Sequence, residues 1–99
     1  MTDDIPAIRK TVAPIAARYG IEKMYLFGSR ARGDNRPDSD YDFLISRGRM
    51  KSLWKFSAFW SELEEAFHLP VDVVSDASFD DEIISSARKD GLLVYESEG

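Results

Sequence analysis

Apolar residues Ile5, Ile8, Val12, Ile15 and Ala16 recur at helical spacing near the start of the chain, which predicts a helix with one oily face. Asp3 or Asp4 is placed to cap it and Gly20 to stop it. Pro14 lacks a backbone donor, so one bent helix or two short ones are expected. The runs Met24-Tyr25-Leu26-Phe27 and Tyr41-Asp42-Phe43-Leu44-Ile45 read as buried strands, and Ser29 to Gly33 between them as a short helix followed by a loop from Asp34 to Ser39. Beyond the expected cap Ser52, residues Leu53, Phe56, Phe59, Trp60, Leu63, Ala66 and Phe67 mark a broad apolar stripe that ends before Pro70. Trp54 lies off that stripe and is expected at the edge of the core, with a place on a partner surface as the alternative. Val71-Asp72-Val73-Val74 reads as a third strand, and Ser78 with Asp81 forms a capping-box pattern ahead of a helix through Ile83, Ile84 and Ala87. Leu92 to Tyr95 is expected as an edge strand or as packed coil.

Strands alternating with helices predict an α/β (α+β) fold: a small mixed sheet of three or four strands flanked by helices. No repeat or linker-like stretch divides the 99 residues, so residues 1–99 are expected to form a single domain. The chain has no Cys, which rules out disulfides and thiolate metal sites. No apolar run approaches the roughly 20 residues of a membrane span. The acidic start Met1-Thr2-Asp3-Asp4 is unlike a signal peptide. A cytoplasmic protein is the resulting expectation. A formal net charge of −5 excludes general binding to a nucleic-acid backbone, so any phosphate contact must be local. Arg30, Arg32 and Arg36 form one local basic group, and Arg47, Arg49 and Lys51 another.

Asp40 and Asp42 flank Tyr41 at the entry to a strand, and positions two apart project from the same face. Carboxylates held so close repel one another, an arrangement that makes sense with a divalent cation between them. Oxygen ligands favour magnesium or manganese over zinc. Asp72 sits among valines, where a carboxylate calls for a partner. If the third strand lies beside the second, Asp72 can reach the same cation, and two metals about 3.5–4 Å apart could serve the attacking and leaving oxygens. Gly28-Ser29 lies where a strand feeds a helix, a place suited to an anion, and Arg32 could bring a guanidinium to the same phosphates.

The segment Leu26-Phe27-Gly28-Ser29-Arg30-Ala31-Arg32-Gly33, followed by Ser39-Asp40-Tyr41-Asp42-Phe43, resembles the core motif of the antitoxin-type minimal nucleotidyltransferases of the DNA polymerase beta superfamily. Val71-Asp72-Val73-Val74 matches the position of the third carboxylate. The resemblance implies that Gly28 and Ser29 hold the triphosphate, that Asp40 and Asp42 bind magnesium, and that Asp72 completes the site as metal ligand or base. It also implies two magnesium ions, ATP as the nucleotide, and transfer of AMP to a tyrosine hydroxyl. The implied partner is a small helical toxin encoded by the adjacent gene. The alternative expectation is a non-catalytic antitoxin that neutralises its partner by occlusion. Two features depart from the family pattern: Tyr41 stands where an aliphatic residue is usual, and the loop from Arg47 to Lys51 is unusually basic. Tyr41 is expected to face the core and the loop to be solvated. His68, the lone histidine, is expected at an exposed helix end.

Overall fold

The computed structural model describes residues 5–33, 36, 40–46, 48, 52–75, 85, 89 and 91–97. Its elements run α1 (Ile5–Arg18), β1 (Lys23–Phe27), α2 (Ser29–Arg32), β2 (Tyr41–Ser46), α3 (Leu53–Phe67), β3 (Val71–Ser75) and β4 (Leu92–Glu96). The strands form one sheet in the order β3-β2-β1-β4, with β2 parallel to β3 and the other neighbours antiparallel. This is the expected mixed sheet with helices. The last apolar segment takes the edge-strand option, with β4 pairing along β1. The capping-box segment from Ser78 to Ala87 apart from Ser85, the loop from Asp34 to Ser39 apart from Arg36, and the basic loop from Arg47 to Lys51 apart from Gly48 lie outside the described residues.

Alternation along β2 sends Tyr41, Phe43 and Ile45 to the core face, where they join Val12, Ala16, Leu26, Phe59, Leu63 and Val73. α1 supplies Ile8, Val12, Ile15 and Ala16 to this core as its periodicity requires. It does so as a single helix that runs through Pro14, an exposed position, so of the two expected forms the one-helix form is found. Pro14 lies on the solvent side, where a missing backbone bond can be made good by water. α3 buries Phe59 and Leu63 and half-buries Phe56, Trp60 and Phe67. Its first turn departs from expectation. Leu53 and Trp54 are 83% and 87% exposed, because that turn projects beyond what the described sheet and α1 cover. His68 ends the helix in the left-handed conformation at φ 57°, exposed as expected, and its N–H donates to the Glu64 carbonyl oxygen.

Both sheet edges are tied down by side chains. On β3 the Val71 carbonyl accepts a bond from Trp60 Nε1, and its N–H donates to Glu64 Oε2 at 3.2 Å. On β4 the Leu93 carbonyl accepts from Arg9 Nε at 3.2 Å. Such contacts occupy backbone groups that would otherwise be open to another strand.

Candidate functional site

Strand pairing builds the site. Phe27 lies opposite Asp42 on the antiparallel side, and Asp42 opposite Asp72 on the parallel side. Directly opposite residues share a face of the sheet, so one row of three neighbouring strands reads Phe27, Asp42, Asp72. It lies on the face away from Tyr41, Phe43 and Ile45. The parallel register therefore puts two carboxylates side by side, an arrangement that is repulsive in the absence of a cation. Asp72 is exposed rather than shut in among its valines, because alternation turns Val71 and Val73 inward and the aspartate out. Its proximity to Asp42, not its burial, is what calls for a counter-ion.

The electrostatics of Asp42 record this crowding. Burial pushes its carboxyl above the ordinary carboxylate range, and the charges of Asp72 and then Asp40 push it further. A hydrogen bond with Asp72 acts in the same direction, while Arg32 offsets part of the effect. Each of the raising influences makes the Asp42 proton harder to remove than that of an ordinary carboxyl. Asp40 is exposed and stands just before β2. It acts on Asp42 through its charge, and among the described residues no group of three or more His, Cys, Asp or Glu side chains is gathered closely enough to hold a metal by itself. Of the three expected carboxylates, Asp42 and Asp72 are paired across the strands, and Asp40 acts on Asp42 through its charge without completing a group of three.

Immediately after β1, Gly28 takes φ 76° and ψ −155°, a backbone region effectively reserved for glycine. A Cβ at this position would lie 2.6 Å from Asp42 Oδ2. The bare backbone of the turn is thus pressed against the carboxylate pair, leaving a surface of peptide groups beside acidic oxygens. Ser29 opens α2 next to it. With only four residues α2 has little of a full helix dipole. What the turn can offer a phosphate is close backbone approach, the Ser29 hydroxyl and the Arg32 guanidinium.

The two arginines of α2 diverge. Arg32 is exposed, and its charge acts on Asp42. Arg30 is 4% exposed, with its guanidinium 4.0 Å above the centre of the Tyr41 ring. Arg30 is therefore no part of a surface basic cluster, and Tyr41 is indeed a core residue at 9% exposure. Spacing alone carried no signal for this pair, because the two residues meet only when α2 folds over the start of β2.

The family described as Polymerase beta, Nucleotidyltransferase matches residues 10–99. The chain is 35% identical over 72 residues to a candidate protein adenylyltransferase of Methanocaldococcus jannaschii, covering 73% of this chain and 77% of that one. It is 32% identical over 77 residues to the protein adenylyltransferase MntA of Thermococcus cleftensis, covering 78% of each. Among solved structures, a candidate minimal nucleotidyltransferase aligns with a TM-score of 0.79 at 28% identity, over 91% of this chain and 95% of that one. A Shewanella oneidensis complex of tri-AMPylated HEPN toxin with MNT antitoxin aligns with a TM-score of 0.72 over 96% of this chain and 75% of that one; at 14% identity this is a likeness of fold.

Proposed function

The chain belongs to the polymerase beta nucleotidyltransferase family and is a nucleotidyltransferase, and from that premise we propose that it is an antitoxin, residues 1–99 forming one domain, that transfers AMP from ATP to a tyrosine hydroxyl of a toxin encoded beside it. The observation that carries this reading is the Gly28 backbone packed against Asp42, which is itself paired with Asp72. On this reading the turn would accept phosphate beside a pair of acidic oxygens, as nucleotidyl transfer requires.

The donor set fits a hard divalent cation. Asp42 and Asp72 are oxygen ligands whose mutual repulsion such a charge would relieve, and Asp40 stands ready as a third. Asp40, Asp42 and Asp72 would hold magnesium, with two ions expected once triphosphate oxygens join the ligands. When bound, magnesium neutralises the charge that builds on the phosphates during transfer.

Gly28 gives the triphosphate access to the backbone, while Ser29 donates a hydrogen bond and Arg32 an ionic one. The acceptor oxygen attacks the α-phosphorus and forms the new P–O bond. The bond from that phosphorus to the bridging oxygen breaks, and pyrophosphate leaves with the bonding electrons. The proton of the acceptor hydroxyl, whose ordinary pKa is about 10, passes to Asp72 as base. An added phosphate places negative charge on the toxin, which would oppose any use of that surface for RNA.

The name of the Thermococcus cleftensis relative supports protein as the acceptor. The fold likeness to an antitoxin bound to an AMPylated toxin supports the pairing. A second reading, neutralisation by occlusion, is favoured by the exposed Leu53 and Trp54, since aromatic and apolar side chains are enriched in interface cores. Coexpression with the product of the adjacent gene separates the two. Transfer predicts a partner heavier by one or more adenylyl groups and restored toxicity with Asp72→Asn. An unmodified partner, neutralised equally by the Asp40→Asn, Asp42→Asn and Asp72→Asn variants, would establish occlusion.

A further inference from the structure

Two backbone bonds close α2, from Arg32 N–H to the Gly28 carbonyl oxygen and from Gly33 N–H to that of Ser29. A single helical turn does not persist in water on so few bonds, because nucleation costs more than they return. The turn must be held from outside. Its inward side chains are Ala31, which packs on the core, and Arg30, which is almost fully buried. An arginine is rarely buried to that extent without compensation. Here the guanidinium lies 4.0 Å over the Tyr41 ring, a geometry in which the cation is attracted to the negative face of the aromatic system.

Tyr41 is itself rigidly placed. Its ring packs 4.2 Å from that of Phe67 at the end of α3, and its N–H donates to the Pro70 carbonyl oxygen at 3.1 Å, the first bond between the β2 and β3 segments. It is also the residue between Asp40 and Asp42. Strand pairing positions Gly28 only as far as Phe27 opposite Asp42. Beyond that point the path of the chain through Ser29 and Arg32 is not dictated by the sheet.

We propose that the Arg30–Tyr41 cation–π pair is the anchor that fixes α2 against the carboxylates, with Arg30 a positioning residue that holds Ser29 and Arg32 where the nucleotide phosphates bind. The inference rests on the reading of Gly28, Ser29 and Arg32 as the phosphate-binding turn. It assigns a role to the residue between the aspartates: the aromatic ring supplies the face on which Arg30 rests. Arg32, exposed on the same turn, serves the ligand because Arg30 holds the turn.

The test is a double-mutant cycle on ATP affinity, measured calorimetrically with magnesium, together with amide hydrogen exchange of the unliganded protein. Arg30→Met keeps the stem without the cation, Tyr41→Leu keeps an apolar core residue without the ring face, and Tyr41→Phe keeps the face. The first two should each weaken ATP roughly 3- to 30-fold, the range of a partly to fully desolvated cation–π contact. The double variant should lose no more than either single one, and Tyr41→Phe should bind like wild type. In the same two variants the Arg32 and Gly33 amides should exchange faster by a similar factor while the Leu26 and Phe43 amides keep their protection. Additive losses, Tyr41→Phe as weak as Tyr41→Leu, or unchanged exchange at Arg32 and Gly33 would each overturn the anchor. If wild type binds no ATP, the nucleotide reading fails, and the exchange data still decide whether Arg30 and Tyr41 hold the turn.

Discussion

The corner from Gly28 to Arg32 and the first turn of α3 break the ordinary segregation of side chains in opposite ways. At the corner a cation is buried, Arg30 at 4% exposure, and at the helix start an indole and a leucine are in solvent, Trp54 at 87% and Leu53 at 83%. The face of Tyr41 is one of the contacts that compensate the buried charge inside the molecule. Nothing among the described residues covers Leu53 and Trp54. An inward exception satisfied by its own fold stiffens a site, whereas an outward one that nothing satisfies is available to another molecule.

This contrast can be broken first at the corner. Asp42→Asn removes a charged oxygen from the pair with Asp72, and transfer should fall by at least about 100-fold, given that charge stabilisation by a bound metal is worth several kcal/mol and each 1.4 kcal/mol is tenfold. Steady-state transfer of labelled AMP measures it, and near-wild-type turnover would remove Asp42 from the chemistry. Gly28→Ala should come next. The new methyl meets Asp42 Oδ2 at 2.6 Å in a backbone region that costs an L-residue about 1–3 kcal/mol, so both the melting temperature and ATP affinity should drop. Unaltered affinity in that variant would mean that the triphosphate binds elsewhere. Ser29→Ala, which deletes one hydrogen bond to a charged group, should weaken ATP by only about tenfold.

The acidic pair also predicts a pH dependence. The Asp42 carboxyl is raised above its ordinary value of 3.8, so the folded protein binds that proton more tightly than the unfolded chain does. The resulting stability is complete below the unfolded value and is lost as pH rises through the folded one. In magnesium-free buffer, Asp42→Asn should therefore gain on wild type as pH rises from about 4 to 7. The difference should be on the order of 1 kcal/mol or less, since the site is partly open to screening solvent. Chemical denaturation at several pH values reads it, and a difference independent of pH would show that the pair is not strained.

The smallest effect on the protein alone belongs to the other region. Trp54→Ser should change stability by no more than about 0.5 kcal/mol, because the side chain gives up little contact. The same variant should weaken capture of a toxin partner by about tenfold or more if the indole is an anchor of the interface. Equal partner affinity with and without Trp54 would return the patch to the ordinary solvent-exposed surface.

Most of the site was legible in the sequence as chemistry. Gly28-Ser29 after an apolar run, Asp40 and Asp42 flanking a strand entry, and Asp72 among valines are local patterns, and local alternation was enough to predict β1, β2 and β3 around them. The family followed from the same residues. Less legible was which apolar positions would be covered. Leu53 has helical spacing identical in kind to that of Phe59 and Leu63, but spacing reports the direction in which a side chain points and not where the neighbouring elements end. Whether Pro14 would leave one helix or divide it in two was open for a related reason, since its effect depends on whether the broken backbone bond faces core or water.

What the sequence determined by itself is therefore the kind of group at each position and the side of its own element to which it turns, because both depend on residues a few places away. Register and reach were left to the tertiary structure. That Asp42 lies opposite Asp72 follows from β3 pairing parallel to β2, a choice made by the whole α3 connection and by the core it buries. That Arg30 turns in while Arg32 turns out depends on a tyrosine brought beneath α2 only when β2 pairs with β1. Contacts between residues distant in the chain form only once packing has paid their closure entropy, so they belong to the fold as a whole and leave no local mark.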